Sequence, residues 1–367
     1  MSETEGRERC RDEAASVLRA PVVSIEQLAH ARRTTATLEV WRVRTERTRA
    51  VVKVVSTSPL AAGLPAADRP HHPYFVGREP MLYERGLPGG YAAAGIAMPR
   101  LLAAFERPGA IALWLEDLSG VSGGALTSEH YETLARRLGR AQGAEMEHNV
   151  SAREFPWSRG FLEVYTSTWD DVGWDRIADD DAWASPLVRT HFSPGLRAAL
   201  LQLCADRHEM LAWAARLPQT LCHHDVWPNN VFELGDHTSL IDWAFAGYGH
   251  VGADPGNLVT DSCGDLLLPA ARLPELDAAA AAGYRQGLTD AGWQGDFRVA
   301  RLGMCLMAAK WAWLVPHMLA LAGDDHHAVY GGQSVDSHEL FAERAAMLAF
   351  NAQLAAEARR LAADLGV

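Results

Sequence analysis

Leu221–Ala244 reads LCHHDVWPNNVFELGDHTSLIDWA. Two short apolar runs, VFEL and SLIDW, frame His223, Asp225 and Asn230 at the spacing H-x-D-x-x-x-x-N, and Asp242 follows twelve residues after Asn230. A hydroxyl attacking a phosphoryl group needs a carboxylate to take its proton, and nucleotide phosphates need oxygen ligands that hold a divalent cation. Asp225 fits the first need; the amide of Asn230 and the carboxylate of Asp242 fit the second, because Mg²⁺ prefers a few protein oxygens beside phosphate and water. Taken singly, Asp and Asn are ordinary turn residues. Their joint spacing between two strand-like runs favours the chemical reading.

A second signal lies upstream. Of 34 basic residues 32 are arginine, and the two lysines are Lys53 and Lys310. Arginine is a broad fork and lysine a compact point charge, so a lysine standing against this bias asks for a reason. Lys53 sits in RAVVKVVS between aliphatics, where Val52 and Val54 project to the opposite face and an apolar environment refuses an unpaired charge. It therefore requires anions. Lys310, in an apolar helical stretch, reads as a surface lysine whose stem lies along the helix.

Around these residues the chain divides. LEVWRVRT and RAVVKVVS read as an antiparallel hairpin; a Pro/Ala/Gly-rich connection from Ser58 to Pro73 precedes an apolar helical stripe around Met81, Leu82 and Tyr83; MPRLLAAFE and AIALWLEDL read as further strands. Beyond a Gly/Ser-rich break the pattern is helical, with a capped start near Thr127, Ser193 and Pro194 opening another helix, and further helices over about 276–290, 296–322 and 337–365. The expected class is α+β and bilobal: a β-rich front lobe, residues 1–116, and a mainly helical rear lobe, residues 117–367, with the cleft between them as the site.

Composition narrows the class. The net charge is −12, with 16 basic against 13 acidic residues up to Glu116, so the excess of acid falls in the rear lobe and a nucleic-acid partner is not expected. Five scattered cysteines without a CxxC pair point to reduced thiols, and with no signal-like N-terminal run the expectation is cytoplasmic. The apolar stretch near 299–323 contains Arg301, Lys310, Pro316 and His317 and reads as a buried helix rather than a membrane span. CHHD tempts a zinc reading, but neighbours in an extended segment point to opposite sides, so Cys222, His223, His224 and Asp225 cannot converge on one ion.

With these stretches in hand, the sequence resembles the aminoglycoside phosphotransferase and choline kinase branch of the protein-kinase-like fold, over residues of about 36 to 265. The resemblance implies a bilobal kinase fold and transfer of a phosphoryl group from ATP, with GTP as the alternative nucleotide, to a hydroxyl of a small molecule, using Mg²⁺. It places Lys53 at the nucleotide phosphates, Glu79 as the partner of that lysine, and LWLEDL, including Glu116 and Leu118, as the hinge whose main chain would meet the adenine. Glu116 and Asp117 would then tolerate side-chain substitution. His223 falls where the family's histidine braces the catalytic loop. Two departures stand out: His224 replaces the usual glycine, and the turn AHARRTTAT lacks a Gly-rich phosphate loop, leaving Thr34, Thr35 or Arg32 as donors.

For the acceptor, FPWSRGFLEVYTSTWDDVGWDRIADDDAW mixes tryptophans and carboxylates, a blend that suits a cationic or sugar-containing molecule as well as a lobe core with a solvated face. Glu163, Asp170 and Trp174 from this segment, and Asp254 and Asp261 beyond the loop, are the candidate acceptor contacts. An aminoglycoside-like or other natural-product antibiotic is the first expectation; choline, a sugar or an amino-alcohol is the alternative, and a nucleotide-binding pseudokinase a third.

Overall fold

The strand containing Lys53 sits in the middle of a five-stranded sheet whose order is Val22–Gln27, Thr37–Thr45, Arg49–Ser56, Ala110–Glu116, Leu101–Arg107, each pair antiparallel. This computed structural model describes residues 3–29, 36–58, 69–149, 155–329 and 334–367. Thr34, Thr35 and Arg32 lie outside the described residues, as does most of the Pro/Ala/Gly-rich connection.

Alternation along the strands sorts the two faces. Trp41, Val43, Val52, Val54 and Trp114 form one apolar layer, while Val55, Leu113 and Leu115 face Tyr83 on the other side. Lys53, two residues from Val55, belongs to this second face. The polar N-terminal segment forms a helix, Glu3–Leu18, that covers the first layer. Its buried stripe is Gly6, Cys10 and Ala14, small residues that let the helix approach closely: a Cβ on Gly6 would lie 2.8 Å from the Trp41 ring. Glu13 ties it down by accepting from Arg107 Nε at 2.9 Å and from Trp114 Nε1 at 2.7 Å.

Asp117 departs from the expected role. Its buried carboxylate accepts from Arg42 Nε at 3.1 Å and lies 3.4 Å from Arg49 Nε, pinning two strands at the end of the sheet. Replacing it by alanine is expected to lower stability by about 1 kcal/mol, since the two arginines remain partly solvated. A denaturant midpoint unchanged within error would show that the pair contributes nothing.

The C-terminal part is helical. Thr127 and His130 make a capping box for Ser128–His148, and this helix packs against Leu273–Asp290 so closely that a Cβ on Gly283 or Gly287 would come within 2.1 Å of the facing backbone. Ser193 caps Pro194–Arg216 and Asp336 caps Ser337–Leu365. The segment expected as one helix over 296–322 is broken into Phe297–Leu306, a 3₁₀ stretch Met307–Trp311, and Leu314–Leu321. Pro316 fits only the first turn of a helix, so regular winding restarts just before it. Phe297–Leu321 is long and apolar enough to cross a membrane, yet 83% of that window is buried inside the fold, in line with its reading as a core segment.

Between these parts lies a small sheet. Val231–Glu233 and Thr238–Leu240 pair as a hairpin, as the apolar runs around Asn230 and Asp242 predict, and Thr238–Leu240 also pairs in parallel with Ile96–Ala97. The hairpin holds both ends of the opening motif at a fixed separation. All five cysteines are buried and free.

Candidate active site

The sheet delivers Lys53 and the helix Arg78–Arg85 delivers Glu79, whose Oε2 lies 2.6 Å from Lys53 Nζ. From the C-terminal part, Asp242 Oδ1 reaches the same ammonium at 2.8 Å. Lys53 thus bridges both halves of the molecule, and it is 8% exposed. Burial pulls its pKa down, but Asp242 and Glu79 outweigh that and raise it, so the lysine is charged. For Asp242 burial pushes upward and the Lys53 ammonium pulls harder downward, holding the carboxylate below its usual range. Asp242 adopts a left-handed backbone, φ 62°, which turns its side chain out of the strand direction.

Asp225 occupies the loop below. Burial, with the nearby Asp242 charge, raises its pKa to about 7. Asn230 donates its amide nitrogen to both the Asp225 main-chain oxygen and Oδ2, each at 2.9 Å. That orientation frees Asn230 Oδ1 for a cation. One amide oxygen and the partly exposed carboxylate of Asp242 form an all-oxygen donor set, which fits Mg²⁺ or a similar hard ion.

His223 is not a proton carrier. Its Nε2 meets the Ile241 carbonyl at 3.0 Å, its Nδ1 accepts from Asp225 N at 3.2 Å, and burial lowers its pKa to about 4. Edge-on contact with Trp243 at 4.4 Å completes the bracing. His224 takes the left-handed conformation, φ 70°, that glycine would adopt without strain. Its ring stacks on Phe161 at 4.7 Å, and Gly249 makes room for it, since a Cβ there would lie 2.3 Å from the imidazole. The histidine thus docks the helix Phe161–Ser167 onto the loop.

Two expected acceptor contacts are corrected. Asp254 is wholly buried: Oδ2 accepts from His223 N at 2.9 Å and Gln142 Nε2 at 2.8 Å, and Oδ1 from His224 N at 2.9 Å. It clamps the loop backbone and has no free edge for a substrate. Asp261 is likewise engaged, by Lys310 Nζ at 2.5 Å and Trp311 Nε1 at 2.9 Å. Lys310 is not a surface residue; it is 3% exposed and also donates to Asn257 Oδ1 at 2.6 Å. The segment around it is buried, and the Asp261 carboxylate compensates its ammonium.

Glu163, Asp170 and Trp174 do come together, around a cavity of about 420 Å³, but on a different face of the helix Phe161–Ser167 from Phe161, which meets the loop. Glu116 ends its strand with the side chain exposed and its N–H already given to Arg100 O at 3.0 Å; Leu118, just beyond, is half-buried. Cys222, His224 and Asp254 lie within 4.8 Å of one another, a grouping that the alternation of CHHD does not reveal because Asp254 comes from another element. The carboxylate is already spent on the loop backbone.

The Asp254 and Lys310 contacts, made between distant segments, were invisible to local spacing. The oxygen cluster was not. The family model described as "Phosphotransferase enzyme family" matches residues 35–295, more than half of the chain. A homoserine kinase from Methylobacterium radiotolerans is 33% identical over 177 residues, which cover 47% of this chain and 48% of that protein, so the match spans about half the length of such curated relatives. Among solved structures, an amicoumacin kinase in complex with AMP-PNP, Ca²⁺ and its ligand superposes with a TM-score of 0.55 at 13% identity, covering 95% of both chains. A choline kinase from Cryptosporidium parvum gives 0.53 at 11% identity, over 100% of this chain and 97% of that one. At these identities the two structures establish the kinase-like α+β fold. The family match makes this chain a member of the phosphotransferase enzyme family that includes aminoglycoside phosphotransferases.

Proposed function

We propose that the chain is a small-molecule kinase that transfers the γ-phosphoryl group of ATP to a hydroxyl. The observation that carries this reading is Lys53 meeting Glu79 and Asp242 within 2.8 Å while the half-buried Asp225 is held by Asn230 at 2.9 Å, which supplies both a phosphate-binding cation and a base. Residues 1–116 would serve as the nucleotide lobe and 117–367 as the lobe holding the loop and the acceptor. Asn230 and Asp242 would hold Mg²⁺, which when bound neutralises nucleotide phosphates. Asp225 takes the hydroxyl proton, Lys53 orients the phosphates, and Glu79 fixes the lysine. Glu116 and Leu118 would meet the base, with ATP preferred and GTP the alternative.

The acceptor is a small molecule rather than a protein. Only a 3₁₀ turn, Trp243–Phe245, and a strand, Gly247–His250, separate Asp242 from the helix Ala253–Thr260, which leaves no activation segment. We place a natural-product antibiotic of aminoglycoside type first, which would make the enzyme a resistance factor. An amino-alcohol is the second reading, favoured by the homoserine kinase relative. Incubating the protein with ATP, Mg²⁺ and a panel of aminoglycosides, nucleoside antibiotics, homoserine, choline and sugars, with mass spectrometry for an added phosphoryl group, tests both. Nucleotide binding without transfer to any of them would favour a pseudokinase.

Lys53→Arg provides a second check. The guanidinium retains charge but is too broad for a pocket already filled by two carboxylates, so KM for ATP should rise or kcat fall by about tenfold, the equivalent of about 1.4 kcal/mol. Wild-type kinetics in the arginine variant would remove Lys53 from the site.

A further inference from the structure

The helix Phe161–Ser167 has two working faces. Phe161 and Tyr165, one turn apart, lie on the side of the loop: Phe161 stacks on His224, and the Tyr165 ring lies 4.9 Å from Lys310 Nζ. Glu163 and, beyond the helix end, Asp170 fall on the other side and line the cavity of about 420 Å³, a volume in the range of small-molecule pockets. None of Lys53, Asp225, Asn230 or Asp242 lines this cavity. Its opposite wall is the helix Pro194–Arg216, which contributes Arg207, His208 and Leu211. Trp174 contributes an aromatic surface, with the Arg207 guanidinium 4.1 Å from its ring centroid.

Two carboxylates, a guanidinium and an imidazole therefore border the same cavity. Arg207 donates to the Cys204 carbonyl at 2.6 Å, and among the described residues no ion pair crosses the cavity. A simple cation would be opposed by Arg207 and a simple anion by Glu163 and Asp170. A ligand carrying both charges would satisfy both walls, and its apolar part would find Trp174 and Leu211.

We propose that this cavity is a second ligand site, separate from the phosphoryl-transfer site, that binds a zwitterionic amino acid with an apolar side chain: ammonium against Glu163 and Asp170, carboxylate against Arg207 and His208, side chain against Trp174 and Leu211. The site does not depend on which hydroxyl compound accepts the phosphoryl group.

Isothermal titration of the full chain with L-phenylalanine and L-leucine tests this, with phenethylamine and 3-phenylpropionate as single-charge analogues. Saturable binding of at least one amino acid is expected, with both analogues at least about tenfold weaker. Arg207→Met and Asp170→Asn should each weaken binding by about 10- to 100-fold, as loss of one charged hydrogen bond implies. Both positions are outside the buried core, and thermal midpoints verify the fold of each variant. The Asp225→Asn variant should bind the amino acid as the wild type does. No saturable binding of either amino acid, analogues that bind equally well, or affinities untouched by the two cavity variants would overturn the proposal. Loss of binding in Asp225→Asn would also overturn it, by placing the amino acid in the transfer site, and would leave the kinase reading standing.

Discussion

Asp225→Asn is expected to lower kcat by about 10²–10⁴-fold, the usual contribution of a general base, while Mg-nucleotide affinity stays within twofold or so of wild type. The substitution is nearly isosteric. An amide oxygen at 225 can still accept from Asn230 Nδ2, which is 2.9 Å from Oδ2, so the loop should keep its shape. What disappears is a group able to take a proton. The environment sharpens the test, because burial and then the Asp242 charge raise the Asp225 pKa to about 7 in the metal-free protein. A carboxyl raised in this way favours folding most below its ordinary unfolded pKa, and that contribution is lost as pH rises through about 7. Asparagine carries no such penalty. With EDTA present, the variant should therefore match or exceed wild type in thermal midpoint above pH 8 or so, and its advantage should shrink at low pH. Loss of nucleotide affinity and of stability together with kcat would assign Asp225 a structural role and contradict the proposed base.

Much of this site was legible in the sequence because it is local. His223, Asp225, Asn230 and Asp242 are carried by one strand–loop–hairpin unit, so their spacing alone limits how they can converge. Lys53 was legible by a different route, a lone cation in a β-branched strand, and Ser193, Pro194 and Thr127 announced helix starts. Contacts between distant segments left weaker traces. Asp254 lies 31 residues from His223 N, and nothing in its own neighbourhood distinguishes a backbone clamp from an acceptor contact. Glu163 on the helix and Asp170 just past its end line one cavity, but spacing does not say which helix face turns to the loop; the stacking of Phe161 on His224 decides it. The N-terminal helix escaped notice because its buried stripe is made of small residues, Gly6, Cys10 and Ala14, rather than large apolar ones. In each case tertiary context, which a single element does not encode, supplied the missing constraint.

Lys310 is open to the same argument as Lys53: it is the other lysine of a chain that otherwise uses arginine, set in a segment apolar on all sides. Its replacement is the second large expected effect. The Lys310 ammonium donates to Asp261 Oδ2 at 2.5 Å and Asn257 Oδ1 at 2.6 Å, and it lies 4.9 Å from the centroid of the Tyr165 ring. Asn257 in turn donates to the Val226 carbonyl at 3.1 Å, next to Asp225. Lys310→Met preserves the stem but strands the Asp261 carboxylate with Trp311 Nε1 as its remaining donor. Breaking a buried pair from one side costs about 3–5 kcal/mol, enough to displace a chemical denaturation midpoint clearly. Removing the partner as well, in Lys310→Met with Asp261→Leu, should recover most of that loss, because an apolar pair of similar volume no longer buries an unmatched charge. If the single substitution leaves the midpoint unchanged, the carboxylate reaches water by another route and the pair does not hold this lobe together. If the double variant is no more stable than the single one, the loss comes from packing around Asn257 and Tyr165 and not from an unmatched charge.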